Sequence, residues 1–525
     1  MPAKTPQTSR HLEVERKFDV GESTVSPSFE GIAAVAHVEK SPTQTLDATY
    51  FDTSAHDLAR NKITLRRRTG GSDAGWHLKL PAGPDARTEV RTPLDASGPG
   101  GNNTVPSELA DIVLAIVRDR PLQPVARITT ERESQVLYDA AGTALAEFSN
   151  DHVTAWSTRR PDDSPEAASD DTDAPPMQQE WREWELELLE AGGQSNGAAD
   201  TELLNRLSNR LLDAGAVPAG HGSKLARVLG TTPPPNGAQA SGDPLQRAIA
   251  EQARELLVWD RAVRADAYDS IHQMRVTTRK LRSLLRDYQD SFGLPAGGWV
   301  LDELRELAGI LGMARDAEVL AERYERDLDG LAPELVRGQV RERLVGGARR
   351  RYQTGLRRSL IAMRSPRYFR LLDSLDVIAA QAPGAASTEE QAPVTIDTAY
   401  KKVRKAAKAA AQVDREYPDD DHHRDESIHR IRKRAKRLRY TAAATGAAKV
   451  SEQAKAVQSL LGDHQDSVVS REHLRQEAEI AHAAGEDTFT YGLLYQREAD
   501  LAQRCRRQLD GTLRKLAKAV RKAGH

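Results

Sequence analysis

Near the start of the chain runs His11-Leu12-Glu13-Val14-Glu15-Arg16-Lys17-Phe18. In a strand, successive side chains alternate between faces. Glu13, Glu15 and Lys17 then share one face, and Leu12, Val14, Arg16 and Phe18 take the other. Adjacent carboxylates repel unless a cation sits between them. An acidic pair followed by a lysine therefore suggests a place that holds a metal ion and an anion together; taken alone, a solvated sheet edge explains it as well. Far downstream, Glu183-Trp184-Glu185-Leu186-Glu187-Leu188 sets three more carboxylates on one face. Short alternating segments between the two supply cations: Arg66 and Arg68, Lys79, Arg87 and Arg132. In a closed barrel, alternate residues meet across the lumen. A lumen carrying five carboxylates and about as many cations is untenable if dry and empty. It becomes sensible when divalent ions neutralise the acids and a polyanion neutralises the bases. Solvated outer faces are the alternative, and several such strands together favour the tunnel.

The elements that must position these residues follow from the spacing of turn residues. Strands are expected at 11–18, 48–53, 63–68, 76–81, 87–91, 124–133, 135–138, 143–148 and 183–188, separated by Gly, Pro or Asp, which describes an antiparallel sheet or barrel. Residues 21–45 read as an irregular or short helical connection, and 107–119 as a helix with a serine start. Residues 157–178, rich in Asp, Pro, Ser and Ala, read as a disordered acidic loop.

This half resembles a CYTH domain, the triphosphate tunnel fold of thiamine triphosphatases, inorganic triphosphatases and type IV adenylate cyclases, over residues 9–229. The matching residues are Glu13-x-Glu15-x-Lys17, Tyr50-Phe51-Asp52-Thr53, Leu65-Arg66-Arg67-Arg68, Leu78-Lys79, Arg87-x-Glu89, Arg132, Asn150-Asp151-His152-Val153 and Glu183-x-Glu185-x-Glu187-Leu188. The resemblance implies an eight-stranded antiparallel tunnel with Mg²⁺ or Mn²⁺ held by Glu13, Glu15, Asp151, Glu185 and Glu187. It implies a triphosphate gripped by Lys17, Arg66, Arg68, Lys79, Arg87 and Arg132. Two departures stand out: Asn150 occupies a position where related sequences often carry an acid, and Glu131 and Glu133 flank Arg132. There is no P-loop and no evident nucleophilic Ser or Cys, so attack by a positioned water is the simplest chemistry.

A linker at 230–242 (Thr231-Thr232-Pro233-Pro234-Pro235 and on) leads into helical periodicity from Asp243 to the end. Within it, Ile271-His272-Gln273-Met274-Arg275 with Arg279 and Arg282 recurs as Ile428-His429-Arg430-Ile431-Arg432 with Lys436 and Arg439. A second pair follows each, Leu311-Gly312-x-x-Arg315-Asp316 and Leu461-Gly462-x-x-Gln465-Asp466. Two repeats are expected, about 243–382 and 394–525. At about 100° per residue, each histidine and its three cations fall within roughly 80° of a helix, with Met274, Leu281, Leu285, Ile431 and Leu438 opposite. One such stripe is explained by solvation; two at matched spacing point to a bound anion. The pattern resembles the CHAD domain, a two-fold repeat of four-helix units associated with polyphosphate, over about residues 243–525. Its implied polyphosphate ligands are His272, Arg275, Arg279, Arg282, His429, Arg432, Lys436 and Arg439.

Charge agrees with this division. The chain of 525 residues has a net charge of −2, yet residues 243–525 hold 51 Lys and Arg against 42 Asp and Glu, and the remainder 24 against 35. The basic half is suited to an anionic partner, and Lys401 to Lys408 and Arg504 to Lys522 extend it. Nucleic acid is disfavoured because aromatics make up only 5% and stacking platforms are not evident. Cys505, the single cysteine, excludes an internal disulfide and reads as a bystander on a basic helix. No stretch approaches a membrane helix, and the polar first ten residues lack an apolar signal core, so a cytoplasmic protein is expected.

The fold expectation is an α+β multidomain chain: an eight-stranded β-barrel tunnel with flanking helices, then an all-α repeat. The leading functional expectation is metal-dependent hydrolysis of inorganic triphosphate or polyphosphate, docked through the helical half on polyphosphate. A non-catalytic polyphosphate-binding or granule-associated protein is the second reading, and an adenylate cyclase the third.

Overall fold

The computed structural model describes residues 9–94, 104–157, 177–189, 197–230, 244–287, 298–380, 395–417 and 420–523. The acidic loop at 157–178, the linker and the break between repeats fall almost wholly outside these. The chain divides into two compact units, Met1–Leu307 with Leu360–Gly384, and Ala308–Ser359 with Ala385–His525.

In the first unit the strands are β1 (Ser9–Val20), β2 (His37–Lys40), β3 (Gln44–Asp52), β4 (Thr64–Thr69), β5 (Gly75–Pro81), β6 (Ala86–Thr92), β7 (Gln123–Tyr138), β8 (Ala144–Ser157), β9 (Met177–Leu188) and β10 (Val217–Pro218). Eight of them close a ring in the order β1-β6-β5-β4-β3-β7-β8-β9, with β9 returning to β1, and every pairing is antiparallel. The expected eight-stranded barrel is therefore present. Two local expectations change. The segments 124–133 and 135–138 are one strand, because Ser134 is buried and its hydroxyl meets that of Ser149 across the ladder at 3.2 Å. Residues 21–45 contain a strand, β2, which pairs with the outer end of β7.

Most of the barrel's apolar core lies outside its wall, because the apolar member of most alternating pairs faces outward; on β3 and β7, Leu46, Ala48, Tyr50 and Ile128 line the lumen instead. Helix α1 (Asp57–Arg60) is a single turn beside the wall, and α2 (Ser107–Val117) covers Leu65, Trp76, Leu78 and Val90 with Leu109, Val113 and Ile116. Helix α3 (Gly197–Asp213) covers Phe18, Phe148, Trp184 and Leu186 with Leu204, Leu207 and Leu211. The short α4 (Lys224–Leu229) is capped by Ser223, whose hydroxyl accepts from the Ala226 amide, and packs Leu225 and Val228 on Tyr50, Ile128 and Trp181. On the other wall strands, apolar burial outside leaves the polar member of each pair for the lumen.

The helical chain continues as α5 (Pro244–Arg264), α6 (Ser270–Asp287), α7 (Trp299–Asp329), α8 (Gly347–Met363), α9 (Pro366–Ala380), α10 (Ile396–Glu416), α11 (Asp421–Ala444), α12 (Ala448–Ala483) and α13 (Phe489–Ala523). In the first unit α2 meets α5 and α9. Asp111 accepts from Arg264 at 3.1 Å and from Arg364 at 2.9 Å, and the buried Arg118 donates to Asp373 and Asp376. In the second unit, α10 to α13 share a core of Val403, Ile431, Leu438, Val457, Leu461 and Leu516.

Candidate functional site in the barrel lumen

Strand register brings three pairs of unlike charge and one pair of like charge face to face. Lys17 stands opposite Glu185, Glu15 opposite Glu187, Glu13 opposite Arg87, and Arg132 opposite Asp151. The lumen is lined by all six cations expected there, Lys17, Arg66, Arg68, Lys79, Arg87 and Arg132, and by Glu13, Glu15, Glu185 and Glu187. Asp151 is fully buried behind Arg132, which donates to both its oxygens at 2.8 and 2.6 Å. Asn150 points the other way, into the outer core. Its oxygen accepts from Arg182 at 2.8 Å and Trp184 at 3.1 Å, and its amide donates to Glu133 at 3.1 Å. Position 150 thus orders the wall, and its departure from an acid removes nothing from the lumen.

Most lumen charges are paired. Lys17 bonds Glu15 at 3.0 Å and also Glu185, Lys79 bonds Glu13 at 2.5 Å, and Arg132 reaches Glu185. Burial alone would raise Glu15, but the ammonium groups of Lys17 and Lys79 outweigh it and hold the carboxyl at about 2. Two groups break the pattern. Glu187 has no ion-pair partner among the described residues, and burial together with neighbouring Glu13 pushes it up to about 7. Among the described residues Arg66 hydrogen-bonds the Tyr50 hydroxyl, at 3.4 Å, and its buried Nε has no partner. Burial and the nearby Arg66 and Arg132 push Arg68 down to about 9. Three mutually repelling guanidiniums on one wall fit an anion; an acid lacking a counter-charge on the other fits a cation.

Several lumen residues were not singled out from sequence. Lys224 of α4 places Nζ at 2.8, 2.7 and 2.7 Å from Asp151, Glu183 and Glu185. No periodicity announces it, because α4 is a single short helix after the glycines of Gly220-His221-Gly222; only the Ser223 cap marks the spot. Glu89, quoted above beside Arg87, is buried and anchors a second cluster. His77 meets it at 2.8 Å and His11 at 3.0 Å, and Arg91 also bonds it. Burial pushes His77 down to about 3, while its two ring nitrogens lie 2.8 Å from Glu89 and 2.9 Å from the Asp73 carbonyl. Two sets of ligand atoms lie within 4.8 Å of one another and could hold a metal ion: His11, Glu13 and Glu89, and Asp151, Glu183 and Glu185.

In the helical half the two stripes are matched in exposure. His272 and His429, Arg275 and Arg432, and Arg282 and Arg439 are all half-buried, and Arg279 and Lys436 are exposed. Met274, Leu281, Leu285, Ile431 and Leu438 are buried, as their opposite face requires. Arg282 donates to the Leu301 carbonyl at 3.2 Å, and Arg439 to Gln458 at 3.1 Å, so each stripe's last cation is tied to the following helix. Gly462 of the second motif lies beside Arg432: a Cβ there would meet the guanidinium at 3.5 Å, an ordinary contact, so space alone does not require the glycine. His422 and His423 lie in the first turn of α11, with Asp420 accepting from the His423 amide at 3.0 Å. No described helix is long and apolar enough to cross a membrane.

Comparison with known proteins agrees with this architecture. The CYTH domain model matches residues 11–190 and the CHAD domain model residues 247–475. The uncharacterized protein MT2285 of Mycobacterium tuberculosis (strain CDC 1551 / Oshkosh) is 70% identical over 526 residues, covering 100% of both chains. Among solved structures, PptA from Streptomyces chartreusis aligns with TM-score 0.41 and 21% identity over 53% of this chain and 99% of its own. The CHAD domain from the plant Ricinus communis aligns with TM-score 0.35 and 24% identity over 54% and 96%. With the two domain models matched in this order and a relative 70% identical along the whole chain, the chain belongs to the family that joins a CYTH domain to a CHAD domain.

Proposed function

We propose that the lumen hydrolyses inorganic triphosphate or the end of a polyphosphate chain with a divalent metal ion, and that the helical half binds polyphosphate. The observation that carries this is the pair of unmatched groups, Arg66 on the basic wall and Glu187 on the acidic one. Glu13, Glu15 and Glu187 would hold Mg²⁺ or Mn²⁺ through carboxylate oxygens on the acidic wall, Glu13 belonging also to the His11–Glu13–Glu89 set. A bound ion supplies electrostatic stabilisation of the phosphoryl oxygens. Arg66, Arg68 and Arg132 grip and orient the phosphates, Lys17 and Lys79 hold the carboxylates ionised, and the buried wall limits water. The stripes of His272 and His429 supply the docking surface, whose summed phosphate contacts make affinity salt-sensitive by the logic known for nucleic acids.

The test is phosphate release from inorganic triphosphate with Mg²⁺ or Mn²⁺. Turnover in the wild type, abolished in Glu13→Gln/Glu15→Gln and reduced about a hundredfold in Arg66→Ala, supports the hydrolase. One observation favours the second reading, a non-catalytic binder: Lys17, Lys224 and Arg132 already neutralise Glu185 and Asp151. Absent turnover, with polyphosphate binding that is lost in His272→Ala/His429→Ala and kept in Glu13→Gln/Glu15→Gln, selects that reading.

A further inference from the structure

In the second unit, α7, α8 and α12 surround a cleft of about 550 Å³, within the ~300–1,000 Å³ usual for small-ligand sites. Helix α8 carries Arg349, Arg350, Arg351, Arg357 and Arg358 and no acid. The cleft is lined by Arg350, Arg351 and Arg358 together with Met313 and the single carboxylate of Glu477. A π-helical turn, Glu342–Gly346, leads directly into α8 at its edge; such turns are frequent at functional sites.

The arginines are not equivalent. Arg343 is quenched by Glu486, which takes two of its hydrogen bonds at 2.7 and 2.5 Å. Arg350 pairs with Glu342, but both are about two-thirds exposed, and such a pair is worth little. Arg358 is exposed, and its guanidinium donates to the Met313 sulfur at 3.7 Å. Arg351 is held differently again. Its guanidinium donates to Nε2 of His473 at 2.6 Å, and Nδ1 of the same ring lies 2.9 Å from the hydroxyl of Tyr324, which is fully buried. Burial and the Arg351 charge push His473 below its usual pKa, so the ring is neutral. A neutral acceptor orients a guanidinium without cancelling its charge, as a carboxylate would. Glu477 of the lining also pairs with Arg351 at 3.5 Å and lies 3.5 Å from His473 Nε2, so it offsets part of that charge from the side of the ring. Tyr324, His473 and Arg351 thus form a chain that holds a cation at the cleft beside a second cation, Arg358, that has no acid partner among the described residues.

We propose that this cleft binds a compact phosphate-bearing anion between Arg351 and Arg358, as a site separate from both the lumen and the histidine stripes. Planar guanidiniums suit the tetrahedral oxygens of a phosphate, which can accept two parallel hydrogen bonds from one of them. His473 is the positioning residue.

The experiment is arginine footprinting of the full chain with phenylglyoxal, read peptide by peptide by mass spectrometry, with inorganic pyrophosphate as probe. Pyrophosphate at several times its dissociation constant should slow modification of Arg358 at least about fivefold, and potassium chloride of equal ionic strength should not. Arg351→Gln, a change at an exposed side chain, should remove most of that protection. Arg66→Ala and His272→Ala/His429→Ala should leave it intact, which keeps this test independent of the proposed hydrolase. Unchanged modification with pyrophosphate, equal protection by chloride, or loss of protection in the lumen or stripe variants would overturn the proposal.

Discussion

Glu187 is the lumen group whose state depends most on what occupies the site. Its carboxyl is raised from an ordinary value to about 7 by burial and by Glu13. The folded pKa exceeds the unfolded one, so its contribution to metal-free stability is complete below the unfolded value and is lost as pH rises through about 7. A divalent ion reverses the preference, since it binds the ionised form. Mn²⁺ affinity should therefore climb from pH 5.5 to about 7 and then level, with about one proton released per ion near pH 6. Glu187→Gln should flatten that step and raise the metal-free melting temperature at pH 8. Isothermal titration in buffers of different ionisation enthalpy measures both the affinity and the protons.

At the level of elements, α4 is the piece that completes the lumen, and Lys224 is its contribution. Removing one partner of a buried ionic cluster costs about 3–5 kcal/mol, because the remaining charges lose their compensation. Lys224→Ala should lower the melting temperature of the metal-free protein markedly, and Mn²⁺ should restore more stability to the variant than to the wild type. Thermal melts with and without the ion decide this; equal shifts in both proteins would show that the ion does not take the ammonium's place. On α8, a Cβ at Gly355 would fall 2.7 Å from the Ala314 backbone nitrogen, so α7 and α8 can approach only at a glycine. Gly355→Ala should cost about 1–3 kcal/mol in urea unfolding. The same contrast between elements explains what could be read from the sequence. Period-two alternation in β1, β4, β5 and β9 announced Glu13, Glu15, Arg66, Arg68, Lys79 and the Glu183–Glu187 triplet directly, because a strand leaves no choice of face. Lys224 and the His77–Glu89 pair were not legible as site residues. A six-residue helix has too little pattern to place one lysine, and β5–β6 register, which joins His77 to Glu89, is a tertiary fact. Asn150 looked like a lost ligand in a motif, but one step of alternation turns it away from the lumen.

For the whole molecule, the composition change near residue 240 marks a domain boundary that contacts do not follow. The barrel shares its compact unit with α5, α6 and α9, fastened by Asp111 to Arg264 and Arg364 and by Arg118 to Asp373 and Asp376. A barrel cut at residue 230 should melt below the corresponding transition of the full chain, since it leaves Arg118, 6% exposed in the fold, without partners. Calorimetry of the two proteins checks it; equal melting temperatures would show that these ion pairs contribute nothing. The same fastening has a consequence for synthesis. The last wall strand leaves the ribosome by residue 188, but the acids that meet Arg118 lie in α9, at 373 and 376. At the usual ~5–20 residues per second, a nascent barrel waits roughly ten to forty seconds with that face uncovered. During that interval the exposed end of α2 is where a folding chaperone would have its longest opportunity to bind.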